Sequence, residues 1–181
     1  PNRGVSAVGK HDYARAAHFT QEGAKKLPKE PEIQFGLVRA VAPSNQKLAT
    51  SDLEAALTLN TNLVPAHLFL ADYYIDAEDY DEAAKELGLV LKINPWHPEA
   101  WAYRAVMSHL KNDTGGETEA RATDLKYWTA NPRVDHLIGK KLSQKDRFAE
   151  GWDHQRQALE FDPGFSPARI QLVQYLLRLG Q

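Results

Sequence analysis

Between Val64 and His97 apolar residues recur at intervals of three and four, first as Leu70, Ala71 and Tyr74 and then as Tyr80, Ala83, Leu87, Val90 and Leu91. That spacing puts them on one face of each of two successive helices. The small residues Ala71 and Ala83 let the two helices approach closely, while Leu70, Tyr74, Leu87 and Leu91 fill the space around the contact. Asp79, with Glu82 three residues on, has the spacing of a capping box at the start of the second helix. Pro95 ends that helix, because a proline has no N–H to donate and clashes with the preceding turn. The pattern predicts an antiparallel helix pair.

The stretch resembles the tetratricopeptide repeat, a helix-turn-helix of about 34 residues with small and aromatic residues at fixed places. Its marks recur along the chain. Over 1–28, Asp12, Tyr13 and Ala16 reproduce Asp79, Tyr80 and Ala83, with Gly4 in the small position of a partial first helix and Pro28 where Pro95 stands. Over 29–61, Pro31 opens a first helix carrying Phe35, Leu37 and Val41 up to a break at Pro43; Leu48, Ala49, Leu53, Ala56 and Leu57 line the second. A capping-box signal at Ser51 and Glu54 leaves a later start open, and periodicity favours the earlier one. After the unit 62–95, the unit 96–132 begins with Pro98 and has Trp101 where the family pattern has Trp. Its first helix ends near Lys111, and Thr114 with Glu117 forms a capping box for a second helix carrying Ala120, Asp124, Tyr127 and Trp128. Over 133–163 come Ile138, Gly139 and Leu142, then Phe148, Gly151, Ala158 and Leu159, with Gly151 where the pattern has Ala. Over 164–181, Ser166 and Pro167 open a last first helix with Ala168, Leu172, Leu176 and Leu179. The closing positions Pro28, Thr61, Pro95, Pro132 and Pro163 are 33, 34, 37 and 31 residues apart. The resemblance implies an all-α, right-handed superhelical solenoid, one array over 1–181 whose first helices line a concave face. The chain begins at Pro1 rather than Met and stops inside a motif, so it reads as a segment of a longer array.

Composition changes this picture little. At 43% hydrophobic and 25% charged the chain can bury a continuous core, and a net charge of −2 gives no general attraction to nucleic acid or anionic membranes. No apolar run approaches the roughly 20 residues of a membrane span. The absence of cysteine excludes disulfides, thiolate metal sites and thiol catalysis.

The chemistry-bearing residues are sparse. Seven histidines, at 11, 18, 67, 97, 109, 136 and 154, show no metal-binding spacing and no HExxH, and no carboxylate pair stands in a catalytic frame. Stacking of first helices would bring His109 to His136, the one constellation to check. Gly115 and Gly116 read as an inter-helix turn, since the phosphate-loop lysine and strand are missing. Trp101, Trp128 and Trp152 read as packing residues and Trp96 as a partly exposed turn residue; the run Asp76 to Glu82 reads as a solvated helix start. No catalytic residue, metal or cofactor is expected.

What the resemblance implies is a groove. Its stripe positions fall on Phe35 and Arg39; on Leu68, Asp72, Ile75 and Asp76; on Ala102, Tyr103, Val106, His109 and Leu110; on His136 and Lys140; and on Gln174 and Arg178. The expected function is a noncatalytic scaffold that holds a peptide or protein there, with an apolar centre at Tyr103 and Val106, acid on one side and base toward the C-terminal end. The co-chaperone subclass grips a C-terminal carboxylate with Lys and Asn on its first helices, followed by Lys and Arg one and two units later; the corresponding places here hold Leu68, Asp72 and Tyr103, and Asp72 would repel a carboxylate, so chaperone tails are not expected as ligands. Two alternatives stand beside the scaffold. One is the arm of an enzyme with a metallopeptidase-like domain elsewhere; the other is self-association through the 166–179 helix, by Leu172, Leu176 and Leu179.

Overall fold

The structure, a computed structural model, describes residues 13–42, 46–127 and 131–178. Gly4, Asp12, Pro43, Trp128 and Leu179 lie outside them, as do the side chains of Tyr13, Ala16, Val41, Leu48, Ser51 and Tyr127. The described residues form helices joined by short turns: α1 (Tyr13–Lys26), α2 (Pro31–Val41), α3 (Gln46–Leu59), α4 (Val64–Asp76), α5 (Tyr80–Ile93), α6 (Pro98–Leu110), α7 (Thr114–Tyr127), α8 (Arg133–Gln144), α9 (Phe148–Phe161) and α10 (Ser166–Arg178). They group into two compact units that divide between His67 and Leu68.

In the first unit α2 packs against both α1 and α3. Pro31 lies in the first turn of α2, where its fixed φ suits a helix and no hydrogen bond is lost. Phe35, Leu37, Val38 and Ala40 of α2 are buried with Ala49, Leu53 and Ala56 of α3. Because α3 starts at Gln46, Ser51 and Glu54 lie inside it, and periodicity rather than the capping signal marks its beginning. Thr61, which replaces a closing proline, is held by His67, whose Nε2–H donates to the Thr61 carbonyl at 2.8 Å.

In the second unit the first helices α6, α8 and α10 stand side by side, and the second helices back them: α5 on α6, α7 on α6, and α9 on both α8 and α10. Its turns repeat in strict register. Glu78, Asn112 and Asp146, in two steps of 34 residues (112 − 78 and 146 − 112), take φ of 62°, 57° and 60°. The next N–H then returns to the carbonyl five residues back, from Asp79 to Tyr74 (2.9 Å), Asp113 to Ser108 (2.8 Å) and Arg147 to Leu142 (3.0 Å). This is the Schellman closure, which requires a left-handed residue just past the helix. A period that the closing prolines mark loosely is thus kept to the residue where the helices turn.

That closure also corrects the cap of α7. With Asn112 left-handed, Asp113 occupies the cap and accepts from the Gly116 N–H at 3.0 Å, as Asp79 accepts from Glu82 N–H at 3.3 Å. The expected Thr114–Glu117 box does not form; Glu117 turns to His109 and Arg121 instead. Gly151 has a packing reason. A Cβ there would lie 2.8 Å from the Gly139 carbonyl oxygen, and a Cβ on Gly139 would lie 2.7 Å from that of Gly151, so the backbones of α8 and α9 meet.

The last helix requires a second correction. Ala168 of α10 is buried and Leu172 and Leu176 are half-buried against α8 and α9, so the stripe expected to be exposed is the packing stripe. The residues that face outward are Ile170, Val173 and Leu177, 55%, 55% and 70% exposed.

Candidate functional site

The first helices of the second unit carry a buried ion cluster. Lys141 of α8 is fully buried; its Nζ lies 2.8 Å from Asp72 Oδ1 and donates to Asp76 Oδ1 at 2.6 Å and to the Asp72 carbonyl at 3.3 Å. The Tyr103 hydroxyl of α6 donates to the same Asp72 oxygen at 2.9 Å. Lys145 pairs with Glu78 beside it. In repeat proteins each unit normally contacts only its neighbours, yet here α8 reaches α4 past α6. Packed helices are about 8–10 Å apart, so one lysine can span this distance only if the face curves inward. Burial by itself would raise the Asp72 carboxyl; the charges of Lys140 and Lys141 and the bonds from Lys141 and Tyr103 outweigh it and hold Asp72 below the usual carboxylate range. Burial, and then the negative charge of Asp72, push the Tyr103 phenol well above its ordinary value.

This cluster changes the expected groove. Ile75, Ala102 and Val106 are fully buried, and Leu68 and Tyr103 nearly so. They are core residues of the curved face and cannot supply its contact surface, which corrects the expectation of an apolar centre at Tyr103 and Val106. Phe35 is likewise buried in the first unit, where Arg39 is exposed.

Farther along the face three of the stripe residues meet. Lys140, Gln174 and Arg178 line one open cleft of about 240 Å³ between α8, the start of α9 and α10, together with Phe148, Gln171 and Tyr175. The Arg178 guanidinium lies 4.7 Å over the Phe148 ring, a cation–π arrangement that fixes its plane. Tyr175 packs on Trp152, with ring centroids 5.1 Å apart. Gln171 Nε2 donates to Gln174 Oε1 at 3.0 Å. No carboxylate lines the cleft.

A second polar network ties four helices together behind that face. Arg121 of α7 donates through Nε to Glu117 Oε1 (2.7 Å) and through both terminal nitrogens to Asp135 of α8 (2.8 and 3.2 Å). His109 Nδ1–H donates to Glu117 and His154 Nδ1–H to Asp135, each at 3.0 Å, and the two imidazoles meet edge to face at 4.8 Å. His109 therefore meets His154 and not His136, whose Nδ1–H donates to Gln155 Oε1 at 2.9 Å. Burial would raise Asp135, but the bonds from His154 and Arg121 keep it low. Among the described residues no group of three His, Asp or Glu side chains is arranged to hold a metal ion, and no helix is long and apolar enough to cross a membrane.

The roles of two groups escaped the sequence reading. Lys141 was hidden as a second lysine beside Lys140, although Asp72 and Asp76, four apart on one face, marked a place for a cation. Glu117 stands 34 residues from both Ala83 and Gly151, so the repeat register itself flags a carboxylate where a small residue is the rule.

A family model described as the tetratricopeptide repeat matches residues 47–107. No curated protein matches the chain. Among solved structures, TTC0263, a thermophilic tetratricopeptide repeat protein of Thermus thermophilus, aligns with a TM-score of 0.70 at 16% identity over 96% of this chain and 95% of its own. MamA aligns with 0.60 at 17% identity over 88% and 94%. The Cut9–Hcn1 hetero-tetramer of the APC/C aligns with 0.68 at 13% identity over 97% of this chain and 35% of that one. Identities this low establish likeness of fold. The repeat signature in residues 47–107 and the likeness of the helix pairs around it to solved tetratricopeptide-repeat structures show the fold, an all-α helical-repeat solenoid.

Proposed function

We propose that this chain is a noncatalytic binding scaffold and that the first-helix face of its second unit takes an extended segment of a protein or peptide partner. The observation that carries the reading is the open cleft at the end of that face. Gln174 and Arg178 there are exposed and Lys140 is half-exposed, whereas the rest of the face is packed and internally paired. At about 240 Å³ and open to solvent, the cleft falls below the roughly 300–1,000 Å³ of enclosed small-molecule sites and suits side chains laid along a groove. An unbiased peptide-display selection on the 181-residue chain tests this. Enriched peptides that lose binding to a Gln174→Ala, Arg178→Ala variant are expected. No enrichment, or binding indifferent to that variant, would contradict the reading.

A second reading rests on the outward stripe Ile170, Val173 and Leu177 of α10, which favours self-association through that helix. Sedimentation across concentration should then show dimers that Val173→Glu abolishes; a wild-type monomer at high concentration removes it.

A further inference from the structure

We infer that Lys141 and Lys145 form a clasp, an autoinhibitory contact that holds the first-helix face of the second unit shut and that opens to bare an apolar strip along it. The clasp is separate from the cleft between α8 and α10, and neither depends on the other. Its two sides belong to helices that are not neighbours in the array. Lys141 of α8 and Lys145 just past its end reach Asp72 and Asp76 of α4 and Glu78 just beyond that helix. The intervening α6 joins the clasp through the Tyr103 hydroxyl, which donates to Asp72. Ile75 of α4 and Ala102 and Val106 of α6, on the stripe that the repeat register turns toward the concave side, are fully buried in this closed arrangement.

What joins α8 to α4 is ionic, and that makes the closure reversible. The attraction within a buried ion pair is largely offset by the hydration its charges give up, so such a joint contributes little net free energy. The carboxylates here already keep part of their surface in water, Glu78 most of all. On opening, only Lys141 has a whole hydration shell to regain. Meanwhile α6 stays packed on α7 and α8, so the motion is a hinge between packed helices rather than a loss of structure. Exposing Ile75 and Val106 to water opposes it, which makes the closed form the resting one. A partner that covers the strip binds only the open form and shifts the balance toward it.

The chain has no cysteine, so spin labels can be placed through Ala77→Cys and Gln144→Cys, at exposed residues on the α4 and α8 sides of the clasp. Dipolar distance measurement on the labelled 181-residue chain should give one narrow distance. Lys145→Gln removes the more exposed pair and leaves Lys141 in place; it should add a longer component. Lys141→Met with Lys145→Gln should make that component dominant. The same variant should raise the fluorescence of anilinonaphthalene sulfonate, which reports exposed apolar surface, by about twofold or more with far-UV circular dichroism unchanged. A lower melting temperature with the same distance and no dye binding would reduce the lysines to a stabilising role and overturn the inference. If the double variant fails to fold, Lys145→Gln decides alone, and an unchanged distance distribution in it would overturn the clasp.

Discussion

At the scale of single residues, one substitution has opposite consequences at two places. Gly151 faces the Gly139 carbonyl across a backbone contact, and a methyl there has nowhere to go. Gly151→Ala should destabilise by about 1–3 kcal/mol, the usual cost of overpacking. Gly88, inside α5, has nothing within 4 Å of a built Cβ, so Gly88→Ala should stabilise by about 0.5–1 kcal/mol through the helical preference for Ala over Gly. Guanidinium unfolding midpoints that move in opposite directions check both. Glu78 provides a third case. It is a non-glycine residue at φ 62°, a conformation that costs an L-residue roughly 1–2 kcal/mol. Glu78→Gly relieves that strain and loses only an exposed pair with Lys145, so the midpoint should rise; a fall would mean that the ion pair outweighs the backbone strain.

At the scale of elements, α8 carries most of what the sequence conceals. His136 is held neutral, chiefly by burial and then by the nearby charges of Lys140 and Arg133, although its bond to Gln155 works the other way. A lowered folded-state value means that the unfolded chain binds the proton more readily. Stability is therefore full above the unfolded histidine value of about 6.5 and is lost as pH falls through it. His97 shifts the same way through burial. The melting temperature should drop between pH 7.5 and 5.5, and His136→Asn, which keeps a donor for Gln155, should flatten part of that drop; an unchanged slope would contradict this. The helix pairs were legible because they depend on periodicities of three and four, on proline stops and on small residues at fixed places. The partners of His109, Lys141 and Glu117 were not. They depend on which of several possible side chains meet across helix contacts, near in sequence for Glu117 with Arg121 and His109 and far for Lys141, 65 residues from Asp76. Even the surface stripe of α10 came out one face away from expectation, because its packing stripe and its exposed stripe are both apolar and only contacts tell them apart.

At the scale of the whole molecule, the account turns on the second unit, whose first-helix face is closed by ions at one end and open at the other. The closed end makes an asymmetric prediction. Lys141 is fully buried, whereas the side chains of Asp72 and Asp76 remain 26% and 40% exposed. Lys141→Met leaves two acids that water can reach and should cost about 1–2 kcal/mol. Asp72→Ala with Asp76→Ala strands a buried ammonium and should cost about 3–5 kcal/mol. The central claim is that the open end, between α8 and α10, is where a partner segment lies. The most direct measurement is the backbone amide spectrum of the isotope-labelled protein as a display-selected peptide is added. Shifts concentrated on residues 140–148 and 171–178 are predicted. Shifts confined to the outward faces of α5, α7 and α9, or to the turn at Asn94–His97, would contradict the account and place the partner on the opposite side.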